Sequence, residues 1–449
     1  MMGLESVGGL AIHIILSKLM PEDVAATACI SRRFRDWVSD DDSLWSKFCA
    51  DELGLSSPQD PWGNPTPSRS VSYQTWREAF NMYPWTLVIR AKRCWSRIRS
   101  WMEINFPEVL PTLRKGASED QINYLEECLK VKLPLPTRVL YRFCDGQELS
   151  NDEFTGSSTE NEPMNLLGLI GGYSFYNHLV NVSLFSLSQV IVETKNAMRY
   201  LGLGTRPKYI VVAASITAYG KIFYLNCSTG QLHVGTWDLS IGREVLPCVP
   251  ESLLCSVHDT KGSQQQDAML LWLEEYGRRL ENGIVKVRTE ECTRSISHFP
   301  EESPLCSTAV TNGVKVRASA VLVPECCNLQ HDSEKYMFTY SIRMSLSPEG
   351  CIINGMKFSS CQLYRRRWII RANDAIVDDI SGEAVIGKFP LLRPGEEEFV
   401  YESCTPLSSS SGSIEGSFTF VPGRLAEPKG SPFEVEVARF PLQLPDYIF

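Results

Sequence analysis

A chain of 449 residues is longer than one hydrophobic core sustains, so about two to four domains are expected. Hydrophobic residues at 43% and charged residues at 22% supply enough apolar surface to fold most of it, which excludes wholesale disorder. A net charge of -9 argues against a general binder of nucleic acid or anionic membrane, because phosphate recognition runs through Lys and Arg.

The first elements read as short helices. Ile12, Ile15, Leu16 and Leu19 fall on one helical face. A second helix is expected from Pro21, with Glu22 and Asp23 in its first turn and Ile30, Phe34, Trp37 and Val38 as its apolar face. A third carries Leu44, Trp45 and Phe48. Units this small are marginal alone and imply a partner. The apolar run "VGGLAIHIIL" has neither preceding lysines nor a cleavage site and reads as helix, not signal peptide; no run approaches the ~18 apolar residues of a membrane span. The fifteen cysteines, an odd number without a secretory signal, are expected to be reduced thiols.

Residues 56–70 read as a Pro/Ser linker, and 84–103 as an amphipathic helix with Arg90, Arg93 and Arg97 along one side, a solvated face or a contact with acids. Ser118 to Gln121 form a capping box, and a further helix is expected from Pro136 to Asp145-Gly146. Strand runs "KYIVVAASI" and "KIFYLNCSTGQLHVGTW" follow, the second a hairpin at Thr229-Gly230. A helix with Leu270, Leu273, Gly277 and Leu280 closes at Asn282-Gly283. From about 285 the period becomes two. Tyr336, Phe338, Tyr340, Ile342 and Met344 share one face of a strand, and similar strands at "VKVRASAVLV", "CQLYRRRWII", "GSFTFVP" and "FEVEVARF" suggest an antiparallel β-sandwich. In "RRRWIIR", Arg365, Arg367 and Arg371 alternate with Arg366, Trp368 and Ile370, so the charges divide between two faces and are expected to bond carboxylates or present a partner surface.

Three stretches carry resemblances. Residues 7–50, through "ILSKLMPED", Ile30-Ser31-Arg32 before Phe34, and "SLWSKF", resemble an F-box, with Val7-Gly8 where a Leu-Pro pair is usual. The middle, through "EDQINYLEECLKVKLPLPTRVLYRFCDGQ" and "LLGLIGGYSFY", resembles SUKH-type protein-binding domains. The last part, through "FTYSIRM", "CQLYRRRWIIR", "SGEAVIGKFPLLRPGEEEFVYESCTPL" and "GSIEGSFTF", resembles ApaG, an immunoglobulin- or fibronectin-like sandwich. The order is that of plant Skp-interacting F-box proteins and of an animal F-box protein with an ApaG domain.

These resemblances imply a multidomain α+β chain: F-box helices over 1–55, linker and amphipathic helix over 56–116, a SUKH-like α+β domain over 117–283 and an ApaG sandwich over 284–449. They imply a non-catalytic substrate receptor of a cullin ubiquitin ligase, without cofactor or metal, working in cytoplasm or nucleus. A Skp-type adaptor, and cullin through it, is the expected partner, with Leu16, Leu19, Pro21, Val24 and Trp45 at the contact. An unidentified protein is the expected substrate; neither nucleic acid nor membrane is a partner. A partner or anion surface on the sandwich is assigned to Arg365, Arg367, Gly382, Gly387 and Arg393. Bacterial ApaG has G-x-G-x-x-G in this loop, where here Ala384 replaces the middle glycine and its Cβ crowds a phosphate.

Three other readings stay open at this point: an enzyme accepting ubiquitin on Cys404 in "YESCTPL", an anion sensor using 382–387 with Arg393, and a binding scaffold outside any ligase. Cys326, Cys327 and His331 are the one tight cluster of metal-ligand types, but no C-x-x-C pair accompanies them.

Overall fold

The computed structural model describes residues 9–40, 42–148, 164–175, 178–201, 208–215, 220–236, 245–255, 265–290, 293–331 and 333–449. Val7-Gly8, Tyr176 and the middle of the loop after residue 255 lie outside them. Four helices open the described chain: α1 (Gly9–Leu16), α2 (Pro21–Thr27), α3 (Arg32–Asp40) and α4 (Asp42–Leu53). The expected helix from Pro21 through Val38 is thus two helices. The Ser31 hydroxyl accepts from the Phe34 amide at 3.3 Å, capping a new start, and Ile30 is left in the connection.

The stretch expected as a linker is packed. Asp60 accepts from the Trp62 and Asn64 amides at 2.9 and 2.8 Å, and the Trp76 indole donates to the Gln59 carbonyl at 3.0 Å. It leads into α5 (Arg69–Ala79) and α6 (Trp85–Asn105). Next, α7 (Glu119–Leu129) starts with both halves of the Ser118/Gln121 capping box, at 3.2 and 2.8 Å, and α8 (Leu135–Phe143) follows.

The central sheet is built from β1 (Met164–Asn165), β2 (Gly171–Phe175), β3 (His178–Leu184), β4 (Tyr209–Ser215), β5 (Lys221–Asn226), β6 (Leu232–Gly235), β7 (Leu246–Pro247), β8 (Lys286–Glu290) and β9 (Thr293–Ser297). α9 (Leu187–Leu201) and α10 (Ala268–Glu281) intervene. Strand order is β1-β9-β2-β3-β4-β5-β6-β7, with β8 on β9; β9 runs parallel to β1 and β2. The boundary expected at 284 therefore falls inside this sheet, because β9 inserts between strands more than a hundred residues earlier, a pairing that local periodicity does not encode. Helix α6 also belongs here: Arg90 forms a bidentate pair with Glu274 of α10 at 2.6 Å, and the Trp95 indole donates to Leu140 at 3.1 Å. Asp267 caps α10 and accepts from Thr137 of α8; full burial pushes its carboxyl up to about 6.

The sandwich comprises β10 (Cys306–Thr311), β11 (Val314–Leu322), β12 (Tyr336–Leu346), β13 (Cys351–Ile353), β14 (Met356–Phe358), β15 (Cys361–Ala372), β16 (Ala375–Glu383), β17 (Leu391–Leu392), β18 (Phe399–Leu407), β19 (Ser411–Arg424), β20 (Glu427–Pro428) and β21 (Phe433–Gln443). One sheet is β10-β11-β12-β18. The other is β16-β15-β19-β20, with β17 also on β15 and β21 on β19. Trp368 is core, edge-on to Phe418 at 5.3 Å and to Tyr340 at 6.1 Å.

Sandwich and central sheet share a buried junction. Thr339 of β12 donates to the Ser174 carbonyl at 2.8 Å, and the Tyr173 hydroxyl donates to Glu325 at 2.8 Å. Lys221, wholly buried, donates to the Tyr173 hydroxyl and to the Phe449 carbonyl; burial pushes its ammonium down to about 8. After β21 the chain returns to the central domain, where Phe449 stacks on Trp272 at 5.5 Å and the Trp272 indole donates to Ile448 at 2.7 Å.

Candidate docking site

In the helical box, the apolar residues divide into two sets. Ile12, Leu16, Val24, Phe34, Val38, Leu44, Trp45 and Phe48 are buried. The Trp45 indole donates to the Val38 carbonyl at 2.7 Å, and its ring meets Phe48 at 5.7 Å and Tyr73 of α5 at 5.5 Å. Tyr73 and Trp85 both donate to Glu52 Oε2, at 2.6 and 2.7 Å, so α4 is held to α5 and α6 by the chain itself. Burial there also pushes the Cys49 thiol up to about 11. The second set faces outward: Leu10 at 77% exposure, Met20 and Ile30 at 65%, Ile14 at 52% and Ile15 at 46%.

Of the residues expected at the contact, Leu16, Pro21, Val24 and Trp45 lie inside the box and Leu19 is half-buried, whereas Ile15, expected on one face with Ile12 and Leu16, points out. Leu10 and Ile14 sit one turn apart on α1, Met20 stands just before α2 and Ile30 just after it. Five large apolar side chains within 21 residues, exposed among the described residues, form a cluster rather than scattered exposed apolars. Hydropathy alone could not sort the sets, since both contain Leu and Ile on the same short helix α1.

On the sandwich, Arg365 and Arg367 are exposed on β15, and Arg367 pairs with Asp379 of β16 at 2.7 Å. Gly382 lies opposite Arg366, whose guanidinium donates to the Glu383 and Ala384 carbonyls at 3.0 and 2.5 Å. Ala384 is buried at φ +61°, and Gly387 at φ +75° has open space around it. The loop thus turns carbonyls toward an arginine, whereas an anion cradle needs converging amides. Arg393 pairs with Glu396 at 2.6 Å, and the β15–β17 register carries it away from Arg365 by roughly 16 Å along the strand. The five residues do not converge on one anion site.

Cys404 lies in the middle of β18 opposite Thr339 and is half-buried, not in a loop. The cysteines among the described residues are free thiols, and burial pushes Cys327 up to about 12. Among the described residues no group of His, Cys, Asp or Glu is arranged to hold a metal, and no helix is long and apolar enough to cross a membrane.

Comparison with known proteins agrees with this geometry. Residues 10–46 match the F-box domain family, and residues 327–422 match the ApaG domain family. The chain is 57% identical over all 449 residues, and over the full length of the relative, to F-box protein SKIP16 of Arabidopsis thaliana. The chain belongs to the F-box protein family. It is also 24% identical to human F-box only protein 3, over 99% of this chain and 84% of that one. Protein ApaG of Nitrosomonas europaea is 35% identical over 132 residues, 29% of this chain and 91% of its own. The architecture is multidomain α+β, with helical box, mixed central region and antiparallel ApaG sandwich. F-box proteins as a class are substrate adaptors of ubiquitin ligases and not themselves catalytic.

Proposed function

We propose that this chain is the substrate receptor of a cullin-type ubiquitin ligase inside the cell, docking a Skp-type adaptor through the outward apolar face of its box. The observation that carries the reading is the set Leu10, Ile14, Ile15, Met20 and Ile30, uncovered on a helical unit that matches the F-box family. Burying five such side chains supplies about 1.5–3 kcal/mol each, enough to offset the cost of association. Leu16, Pro21, Val24 and Trp45 shape that face from beneath, and cullin is reached through the adaptor. The buried junction makes central domain and sandwich one body, and that body holds the protein to be modified; the sequence resemblance of its central part to SUKH-type domains, which bind proteins, fits this reading. The chain itself supplies position and no catalytic group. Co-elution of the purified chain with a Skp-type adaptor and cullin is expected in size-exclusion chromatography. Elution of the chain alone, at micromolar concentrations of all three, refutes the proposal.

A further inference from the structure

A second group of uncovered apolar side chains lies at the far end of the chain. Strand β16 is the edge of the six-stranded sheet and, among the described residues, pairs with β15 alone. Its Ile376 (57% exposed), Val377 (54%) and Ile380 (41%) are open, and Ile386 and Phe389 continue the exposed apolar lip in the following loop. The far side of β16 therefore presents unpaired backbone N–H and C=O groups flanked by apolar side chains. A register shift at Ile370/Arg371 leaves Val377 without a partner across the ladder.

The charge pattern says what can pair there. Residues 374–383 hold Asp374, Asp378, Asp379 and Glu383 and no basic residue. Asp379 is taken by Arg367, but Asp378 makes no ion pair among the described residues. Arg365, Arg366 and Arg367 lie one strand inward, so a strand added outside β16 meets the acids about 5 Å away and the arginines about twice as far. A second copy of the same edge would bring Asp378 and Asp379 against their own kind, which disfavours self-pairing. The same acids favour a segment with lysine or arginine.

Resting on the receptor reading above, we infer that β16 is where the ligase target docks, as an added antiparallel strand of apolar residues interrupted by a basic one. Backbone bonds give the affinity; Asp378 takes the cation and Ile380, two residues on along the same face, an apolar side chain, while the bulge turns Ile376 to an apolar side chain on the other face.

The test uses the full chain with its adaptor and three fluorescein-labelled peptides matched to the nine residues of β16: Ile/Val with one central Lys, the same with Glu for Lys, and the Lys peptide N-methylated at alternate amides. By anisotropy, the Lys peptide is expected to bind about tenfold or more tighter than either of the others. Asp378→Lys, and separately the surface double variant Ile376→Lys, Ile380→Lys, should each lose about tenfold. Equal binding of the Glu or N-methylated peptide, or unchanged binding by both variants, overturns the inference. Adaptor binding is read on the same samples: retained adaptor with no Lys-peptide preference sinks the edge site alone, whereas lost adaptor binding by the wild type sinks the receptor reading.

Discussion

His298 makes the junction between central sheet and sandwich acid-sensitive. It stands just after β9, buried, with Nε2 2.6 Å from the Ile170 carbonyl and its ring 6.2 Å from that of Phe449. Burial first, then the Lys221 and Arg279 charges, hold its imidazole down to about 3 from an ordinary 6.5. The folded value lies below the unfolded one, so the unfolded chain binds the extra proton. Stability from keeping this ring neutral is present above pH 6.5 and is lost as the pH falls toward 3. At about pH 5 the unfolded ring is protonated and the folded one is not, a difference of roughly 1.5 pH units or about 2 kcal/mol. His298→Gln keeps a donor for Ile170 and removes the titration. In urea unfolding followed by circular dichroism, the variant should lose about 2 kcal/mol less than wild type between about pH 7.5 and about pH 5. Comparing the two cancels the opposite-signed contribution of Asp267, whose raised carboxyl favours the folded state as the pH drops. Equal losses in both proteins would refute the account of His298 as a buried neutral ring.

Other perturbations separate interior from surface. Leu16→Ala should lower the stability of the helical box by about 2–5 kcal/mol, while Ile14→Ala changes it by less than about 0.5, read by thermal melting of the full chain; equal effects would contradict the two-set division. Arg138→Met strands Glu126, a buried carboxylate 2.7 Å from the Arg138 guanidinium, and should cost about 3–5 kcal/mol in urea even with Lys132 still at 2.6 Å. Gly172→Ala would put a Cβ 1.9 Å from the Val180 carbonyl, so β2 and β3 must part; hydrogen exchange should rise across 171–184, and unchanged protection would refute the close approach.

What was legible in the sequence was local. The Ser118/Gln121 box, the helix ending at Asn282 and the period-two strand at 336–346 all need only neighbours within a few residues, and each appears as read. What was hidden depends on partners far along the chain. Thr339 and Ser341, on the opposite face of β12 from Tyr340 and Ile342, are both buried, Thr339 with a bond to the central sheet. β8 and β9 look like sandwich strands because alternation does not name the sheet a strand joins. In the box, Ile15 and Leu16 are equally apolar neighbours, yet Leu16 is buried and Ile15 exposed, a choice their hydropathy does not make.

Adaptor affinity across the box surface tests the central claim most directly. Titrating a Skp-type adaptor calorimetrically into wild type, Ile14→Asp and Ile30→Asp, with circular dichroism as the fold check, should give tight binding for wild type. Each surface variant should lose about tenfold or more at unchanged stability. Wild-type affinity in both folded variants would contradict the assignment of the outward apolar face as the docking surface.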